Sequence, residues 1–165
     1  MDERIQKIIN EIRKNIKGKD DIIQTVLCTM LAGGHILLED IPGVGKTTLA
    51  LAISKSMSLE YRRVQFTPDV MPSDITGFNM YNAQKQVFEY HEGAAICNLL
   101  LADEINRTSP KTQSALLELM EEGRVTVDGQ VHSVKQPFFV IATQNPYGSA
   151  GTQRLPESQM DRFMV

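Results

Sequence analysis

Residues 42–48, PGVGKTT, combine glycines, a lysine and hydroxyl groups at a spacing that suits phosphate binding. They follow a short apolar stretch and open a helical pattern, which is the setting that a phosphate-binding loop requires. The glycines let the backbone curl so that successive N–H groups point into one concavity. Lys46 can reach the outer phosphates of a nucleotide, and the Thr47 hydroxyl can bind Mg²⁺. The predicted phosphate-binding residues are Pro42, Gly43, Val44, Gly45, Lys46, Thr47 and Thr48.

This segment departs from the general loop pattern at one position. The pattern G-x-x-x-x-G-K-[ST] has glycine where this chain has Asp40. Asp40 precedes the residues that wrap the phosphates, so we expect nucleotide binding to tolerate it. A carboxylate near phosphates could nevertheless lower the affinity.

Two carboxylates follow a second apolar stretch, residues 98–102. A buried strand that ends in Asp103 and Glu104 places charge at its carboxyl end, where α/β sheets bind ligands. Asp103 is placed to hold Mg²⁺, and Glu104 is placed to orient and polarise a water for attack on a γ-phosphate. Read alone, the pair is equally consistent with a helix cap and a solvated charge. Asn145 follows a further strand-like stretch and could hold the attacking water, although Asn before Pro usually marks a turn.

Strand-like and helix-like stretches alternate along the chain, which predicts a parallel sheet with helices on both faces. Asp20 and Ser109 are predicted helix caps, and Gly123 is a predicted helix end. The predicted helices begin near residues 5, 20, 46 and 110, and the predicted strands cover residues 35–39, 61–66, 98–102 and 138–143.

Two hairpins interrupt this alternation. One is predicted around a polar loop between residues 78–81 and 87–90. The other is predicted at Asp128-Gly129, a strong two-residue turn signal. That turn places Val125 and Val127 on one face and Val131 on the other. We therefore expect the second hairpin to project from the core, the alternative being an ordinary sheet edge.

Composition narrows the classes of protein that the chain can belong to. The 165 residues are 42% hydrophobic and 22% charged, which predicts one folded domain over residues 1–165 and excludes wholesale disorder. No stretch reaches the roughly 20 apolar residues of a membrane helix. A net charge of −3 argues against strong nonspecific nucleic-acid binding.

Cys28 and Cys97 have no metal-ligand spacing and are predicted to be buried free thiols in a reducing cytosol, which favours a cytoplasmic location.

Other charged residues have plainer interpretations. The three histidines share no metal-ligand spacing, so structural roles are expected for them. Arg62 and Arg63 are predicted to form a solvated strand end, and Arg154 a surface charge. Arg107 could reach a neighbouring subunit or form a local salt bridge, and the local pair is the stronger expectation.

Taken together, these motifs resemble those of AAA+ ATPases, and specifically the MoxR family. The resemblance covers nearly the whole chain. Its matching stretches are residues 35–50 (HILLEDIPGVGKTTLA), 64–74 (VQFTPDVMPSD), 99–123 (LLLADEINRTSPKTQSALLELMEEG), 138–146 (FFVIATQNP) and 155–163 (LPESQMDRF).

The resemblance implies an α/β P-loop NTPase fold: an AAA+ core with a parallel sheet flanked by helices and two inserted β-hairpins. Residues 77–92 are similar to the family's helix-2 insert, and residues 124–134 to its pre-sensor-1 hairpin. Asn145 matches the sensor-1 position, Arg162 matches the arginine finger, and Gly18 matches the adenine pocket, although the usual Val-Gly-Gln is altered there. The implied cofactors are ATP or ADP with Mg²⁺.

The resemblance also implies partners. It suggests a ring, hexameric in the complete protein, that remodels protein clients or inserts metal, often with a von Willebrand factor A domain partner. It further implies a helical lid beyond Val165, so we expect this chain to be a weakly active part of a longer protein. Two other functions stay open: a nucleotide-gated binding module with little hydrolysis, and a nucleic-acid motor, against which the acidic composition counts.

Overall fold

The computed structural model describes residues 3–39, 45–144 and 155–165. Within them, helices and strands alternate as the sequence predicts. The helices are α1 Glu3–Asn15, α2 Asp20–Leu31, α3 Lys46–Ser56, α4 Pro72–Thr76, α5 Pro110–Glu122 and α6 Glu157–Met160, with a 3-10 turn at Ile105–Arg107. The strands are β1 Ile36–Glu39, β2 Tyr61–Gln65, β3 Gly77–Asn82, β4 Val87–Glu92, β5 Leu99–Asp103, β6 Arg124–Val127, β7 Gln130–Ser133 and β8 Phe139–Gln144.

Four strands form the central sheet in the order β1-β8-β5-β2, and every pair in it is parallel. The last residues of the chain run along the free edge of β1. The Met164 amide donates to the His35 carbonyl (2.9 Å), and the Leu37 amide donates to the Val165 carbonyl (2.8 Å). These bonds place the terminal segment beside β1, at the edge of the sheet that β8 does not occupy.

The sheet is buried on both faces, which is why its strands are nearly continuous apolar runs. All five residues of β5 are buried. Leu99 and Leu101 pack in the cluster that α1, α2 and α3 complete, whereas Leu100 and Ala102 pack in the cluster on the opposite face, with α5. This three-layer α/β arrangement confirms the predicted fold class.

Helix ends follow the sequence signals with one exception. The Ser109 side chain accepts a hydrogen bond from the Thr112 amide (3.2 Å), and Gly123 ends α5 in the left-handed conformation (φ 64°). Asp20 is not the cap that we expected: it is the first residue of α2, after Lys19. Its carboxylate instead accepts a 2.8 Å hydrogen bond from Arg13 of α1, which ties the two helices together.

Both hairpins form separate two-stranded sheets, with the second in the predicted register Val125↔His132. The second hairpin lies outside the central sheet, which excludes the alternative of an ordinary sheet edge, and most of its residues are exposed, as expected for a projecting hairpin. It is nevertheless anchored at its base. Val125 is buried in the core, and the His132 ring stacks on Tyr90 of the first hairpin at a centroid distance of 3.6 Å. His132 is paired with Val125 across the hairpin, so its flat ring lies on the same face as Val125 and Val127 and extends the surface that packs. Val131, on the other face, is exposed.

The two cysteines differ. Cys97 is buried, and burial raises the pKa of its thiol to about 11, so it stays protonated. Cys28 is exposed on α2, contrary to the expectation that both thiols are buried. It lies outside the apolar stripe with which α2 packs on the sheet. Within the described residues, no helix combines the length and the apolar character that crossing a membrane requires.

Candidate functional site

The carboxyl ends of β1, β5 and β8 meet at one edge of the sheet. Glu39 at the end of β1 is in register with Gln144 at the end of β8, whose side-chain amide donates to the Glu39 carboxylate (2.7 Å). After β1 the chain crosses to β2, which lies beyond β8 and β5 on one side of β1. The terminal segment that follows β8 instead pairs with the opposite side of β1. Such a topological switch point is where open α/β sheets bind ligands.

Helix α3 begins directly after the segment that leaves this edge. Gly45 precedes it in the left-handed conformation (φ 69°, ψ 36°), and the Gly45 carbonyl accepts the first helical hydrogen bond, from Leu49 (2.8 Å). The first turn is Lys46-Thr47-Thr48 and contains no acidic residue. Its amide groups and its lysine therefore suit an anion. Pro42, Gly43, Val44 and Asp40 lie outside the described residues.

The two predicted acids occupy the end of β5. Asp103 is the last strand residue and is buried, and Glu104 follows in the left-handed conformation (φ 58°). The Thr143 hydroxyl contacts both residues: it donates to Asp103 Oδ1 (3.2 Å) and accepts from the Glu104 amide (2.9 Å). The structure thus fixes the acid pair to β8, the strand that leads toward Asn145. Asn145 itself lies outside the described residues, as does Arg154.

Two arginines hold the acids, and sequence reasoning missed the first. Arg63 donates from Nε to Asp103 Oδ2 (2.8 Å), so the expectation that it is only a solvated strand end is wrong. The pairing arises because β2 lies beside β5, with Gln65 opposite Asp103. Nothing local in the sequence gives that neighbour. Arg107 forms the expected local salt bridge, with its Nη1 2.7 Å from Glu104 Oε2.

The oxygen donors fit a nucleotide-bound Mg²⁺. Thr47 and Asp103 offer a hydroxyl and a carboxylate, the hard oxygen ligands that Mg²⁺ takes in small number beside phosphate oxygens. Among the described residues, no group of three or more His, Cys, Asp or Glu side chains could hold a metal by itself. A site completed by a ligand's phosphates therefore fits these residues better than an all-protein cage.

The structure does not bring Arg162 to the acids. Arg162 follows α6 and pairs with Glu121 of α5. Two residues further along the chain, the Met164 amide donates to the carbonyl of His35, which precedes β1. Arg162 therefore lies toward the amino ends of the strands. Gly18 is exposed between α1 and α2 at φ 74°, with open space around its Cβ position.

Comparison with known proteins agrees with this geometry. Residues 35–165 match the model of the ATPase family associated with various cellular activities (AAA). The chain is 56% identical over 158 residues to YeaC of Bacillus subtilis, an uncharacterised protein, covering 96% of this chain and 49% of that one. It is 41% identical over 160 residues to the chaperone MoxR1 of Mycobacterium tuberculosis, covering 97% of this chain and 42% of that one.

A solved structure of a protein from Cytophaga hutchinsonii, assigned as an ATPase, superposes with a TM-score of 0.88 at 45% identity. The match covers 98% of this chain and 49% of that chain. The chain thus spans about half the length of the relatives that it matches. Because the family model covers most of the chain, and the relatives include a protein named MoxR1, the resemblance is confirmed: the chain belongs to the AAA family of ATPases and is of the MoxR type.

Proposed function

We propose that this chain binds ATP with Mg²⁺ at the amino end of α3 and hydrolyses it with the acids at the end of β5. The observation that carries the proposal is that β1, from which the chain leads to α3, and β5, which ends in Asp103 and Glu104, end at the same edge of a parallel sheet. A polyanion held at a helix amino end would have its outer phosphates beside two carboxylates. Family membership supports the same chemistry.

Each residue has a role in this proposal. The amide groups of the loop and first turn, with Lys46, hold the phosphates. Thr47 and Asp103 hold Mg²⁺, which neutralises charge on the phosphate oxygens. Glu104 orients and polarises the attacking water, and Asn145 helps to hold it. Gly18 would line the adenine site, as the resemblance to the family implies.

Arg162 belongs to a second part of the proposal, a ring, hexameric in the complete protein. In one subunit Arg162 lies toward the sheet edge opposite the acids, so it would act on the ATP of a neighbour. A guanidinium there would neutralise charge that develops on the γ-phosphate.

The ring would act on protein clients, because the relative MoxR1 is named a chaperone. The first hairpin supports this, since it exposes large apolar side chains that a client could cover: Phe78, Met80, Tyr81, Val87 and Phe88. A partner with a von Willebrand factor A domain, and metal insertion as the outcome, are narrower forms of the same proposal. The same proposal includes a cytoplasmic location for the protein.

One observation favours a second candidate, a nucleotide-gated binding module with little hydrolysis. Both acids are engaged by arginines, Asp103 by Arg63 and Glu104 by Arg107. A carboxylate held in an ion pair is less available to polarise water. The two candidates agree on nucleotide binding and differ in turnover.

Nucleotide binding is tested by Lys46→Ala. Titration calorimetry with Mg-ATP and Mg-ADP should show micromolar-range binding by the unaltered chain and about 10- to 100-fold weaker binding by the variant. That loss corresponds to one charge-assisted hydrogen bond, roughly 1.5–3 kcal/mol. Lys55→Ala, an exposed lysine in the last turn of the same helix, is the matched control. Equal affinity in both variants would place the nucleotide elsewhere.

A further inference from the structure

One buried hydroxyl joins the two acids of the site. Thr143 is 1% exposed and lies one residue beyond the Ala102–Ala142 pair of the β5–β8 ladder. Its Oγ1 is 3.2 Å from Asp103 Oδ1 and 2.9 Å from the amide nitrogen of Glu104. A carboxylate accepts and an amide donates, so the hydroxyl must donate to Asp103 and accept from Glu104. Both of its hydrogen-bonding capacities are used on this pair.

Glu104 depends on such an anchor because its backbone is strained. It has φ 58° and ψ 46°, a conformation that residues with a Cβ seldom adopt. Residues in this region persist where their surroundings fix them, typically at functional sites. Here the Glu104 amide is fixed by Thr143, and the Glu104 carbonyl accepts from the Arg107 amide (2.9 Å). The resulting turn out of β5 determines where the Glu104 carboxylate lies.

We propose that Thr143 is a positioning residue for ATP hydrolysis, because its hydroxyl fixes the Asp103 carboxylate and the Glu104 backbone relative to each other. This proposal rests on the proposed function. One side chain on β8 thus fixes the positions of two consecutive acids at the end of β5, the one that would hold Mg²⁺ and the one that would orient water. Thr143 does not touch the reacting atoms. It acts through the Asp103 carboxylate and through the Glu104 backbone, which sets the position of the Glu104 carboxylate.

Three variants separate positioning from packing. Thr143→Val keeps the shape of the side chain and removes both hydrogen bonds. Thr143→Ser keeps the hydroxyl and removes only the methyl group. The control is Thr29→Val in α2, since Thr29 is also buried and its hydroxyl donates to a backbone carbonyl (Thr25, 2.9 Å) away from the acids. Thr143→Ala serves as the second hydroxyl-free variant if thermal unfolding shows that Thr143→Val does not fold.

Two quantities are measured in the full chain: kcat at saturating ATP, and the Mg²⁺ dependence of nucleotide affinity. Thr143→Val should lower kcat about 10- to 100-fold and raise the Mg²⁺ concentration for half-maximal binding about 10-fold, as displaced supporting groups commonly do. Affinity for metal-free nucleotide should stay within about twofold. Thr143→Ser should restore both quantities to within a few fold, and Thr29→Val should leave them unchanged.

The proposal is overturned if Thr143→Val leaves both kcat and the Mg²⁺ dependence unchanged, if Thr29→Val lowers them equally, or if Thr143→Ser fails to restore them. Failure of the proposed function looks different. In that case the unaltered chain binds no nucleotide, whereas each outcome that overturns this proposal leaves nucleotide binding by the unaltered chain intact.

Discussion

At the scale of single residues, the site consists of paired charges rather than isolated acids. Asp103 accepts from Arg63 and Thr143 on different carboxylate oxygens, and Glu104 pairs with Arg107. The acids are largely shielded, with side chains 11% and 26% exposed, whereas the two arginines are 48% and 39% exposed. The arginines can therefore move into solvent more easily than the acids can. A cation that binds Asp103 would share it with Arg63 or displace Arg63.

His35 illustrates a second residue-scale constraint. Its Nδ1 accepts from the Val140 amide (3.1 Å), so the proton lies on Nε2, 3.1 Å from the Met120 carbonyl. The ring is buried, and burial lowers its pKa below the ordinary 6.5, although the bond to Met120 opposes this. The neutral ring therefore joins α5 to β8.

We predict that this histidine makes the fold sensitive to mild acid. Well above pH 6.5 the ring is neutral in both the folded and the unfolded chain. As the pH falls below 6.5, the unfolded chain takes up the proton first, so the free energy of unfolding decreases until the lower, folded pKa is passed. Urea unfolding at pH 7.5 and 5.5 measures the loss, and His35→Gln should show a smaller one. An equal loss in the variant would assign the acid sensitivity to other groups.

The residues that could be predicted are those whose chemistry is local in the chain. Asp103 and Glu104 come at the end of a recognisable strand pattern, and Lys46 opens a recognisable helix pattern, so the sequence alone places these three residues. Arg63 could not be assigned in this way, because its partner Asp103 is 40 residues away and meets it only through the neighbouring positions of β2 and β5. Thr143 falls in the predicted strand 138–143, and the sequence assigns it no role, because its two partners lie at the end of another strand.

At the scale of elements, apolar runs and turn residues indicate the order of the four longer helices and of the strands correctly, but not the short helices α4 and α6. The exceptions involve contacts between elements. The second hairpin lacks a clean apolar face in the sequence, yet it packs against the first hairpin through Tyr90–His132 and through Asn79, whose amide donates to Asp128 (2.9 Å). Asp20 likewise serves the neighbouring helix instead of its own. A one-dimensional pattern does not specify the partner of such a side chain.

The first hairpin begins at a glycine that no other residue can replace without strain. Gly77 has φ 90°, and a Cβ there would lie 2.4 Å from the His91 carbonyl oxygen. Gly33 also has a positive φ, 74°, but open space around its Cβ position. Comparing substitutions at Gly33 and Gly77 therefore distinguishes the cost of the positive φ from the cost of steric overlap.

We predict that Gly77→Ala destabilises the fold more than Gly33→Ala. A positive φ costs an alanine about 1–3 kcal/mol at either position. At Gly77 the overlap with backbone adds about 1–3 kcal/mol. Urea unfolding of the two variants measures the difference. Equal losses would mean that the base of the hairpin yields to the methyl group.

At the scale of the whole molecule, the sheet separates two groups of proposed site residues. The acids lie at the carboxyl ends of the strands, and Arg162 lies near the start of β1. The four residues of β1 span about 13 Å at 3.3 Å per residue. One subunit therefore holds its Arg162 away from its own acids, which is the arrangement that action on a neighbouring subunit requires.

This arrangement predicts rescue in mixed rings. Arg162→Ala should bind ATP normally and hydrolyse it roughly 10³- to 10⁵-fold more slowly, the usual contribution of an arginine in this role. Lys46→Ala subunits should be inactive because they bind ATP poorly. Mixing the two should restore part of the turnover, since an intact Lys46 site can then face an intact Arg162. Absence of rescue in verified mixed assemblies would leave Arg162 a structural partner of Glu121.

The central claim, that Glu104 acts in hydrolysis and not in binding, is tested most directly by Glu104→Gln. The amide keeps the shape of the side chain but cannot act as a base. Calorimetry and a phosphate-release assay on the same sample should show unchanged Mg-ATP affinity and a turnover lowered roughly 10²- to 10⁴-fold. Glu118→Gln, an exposed glutamate on α5, should change neither quantity. Turnover that stays at the unaltered level in Glu104→Gln, or affinity that falls together with turnover, would contradict the account.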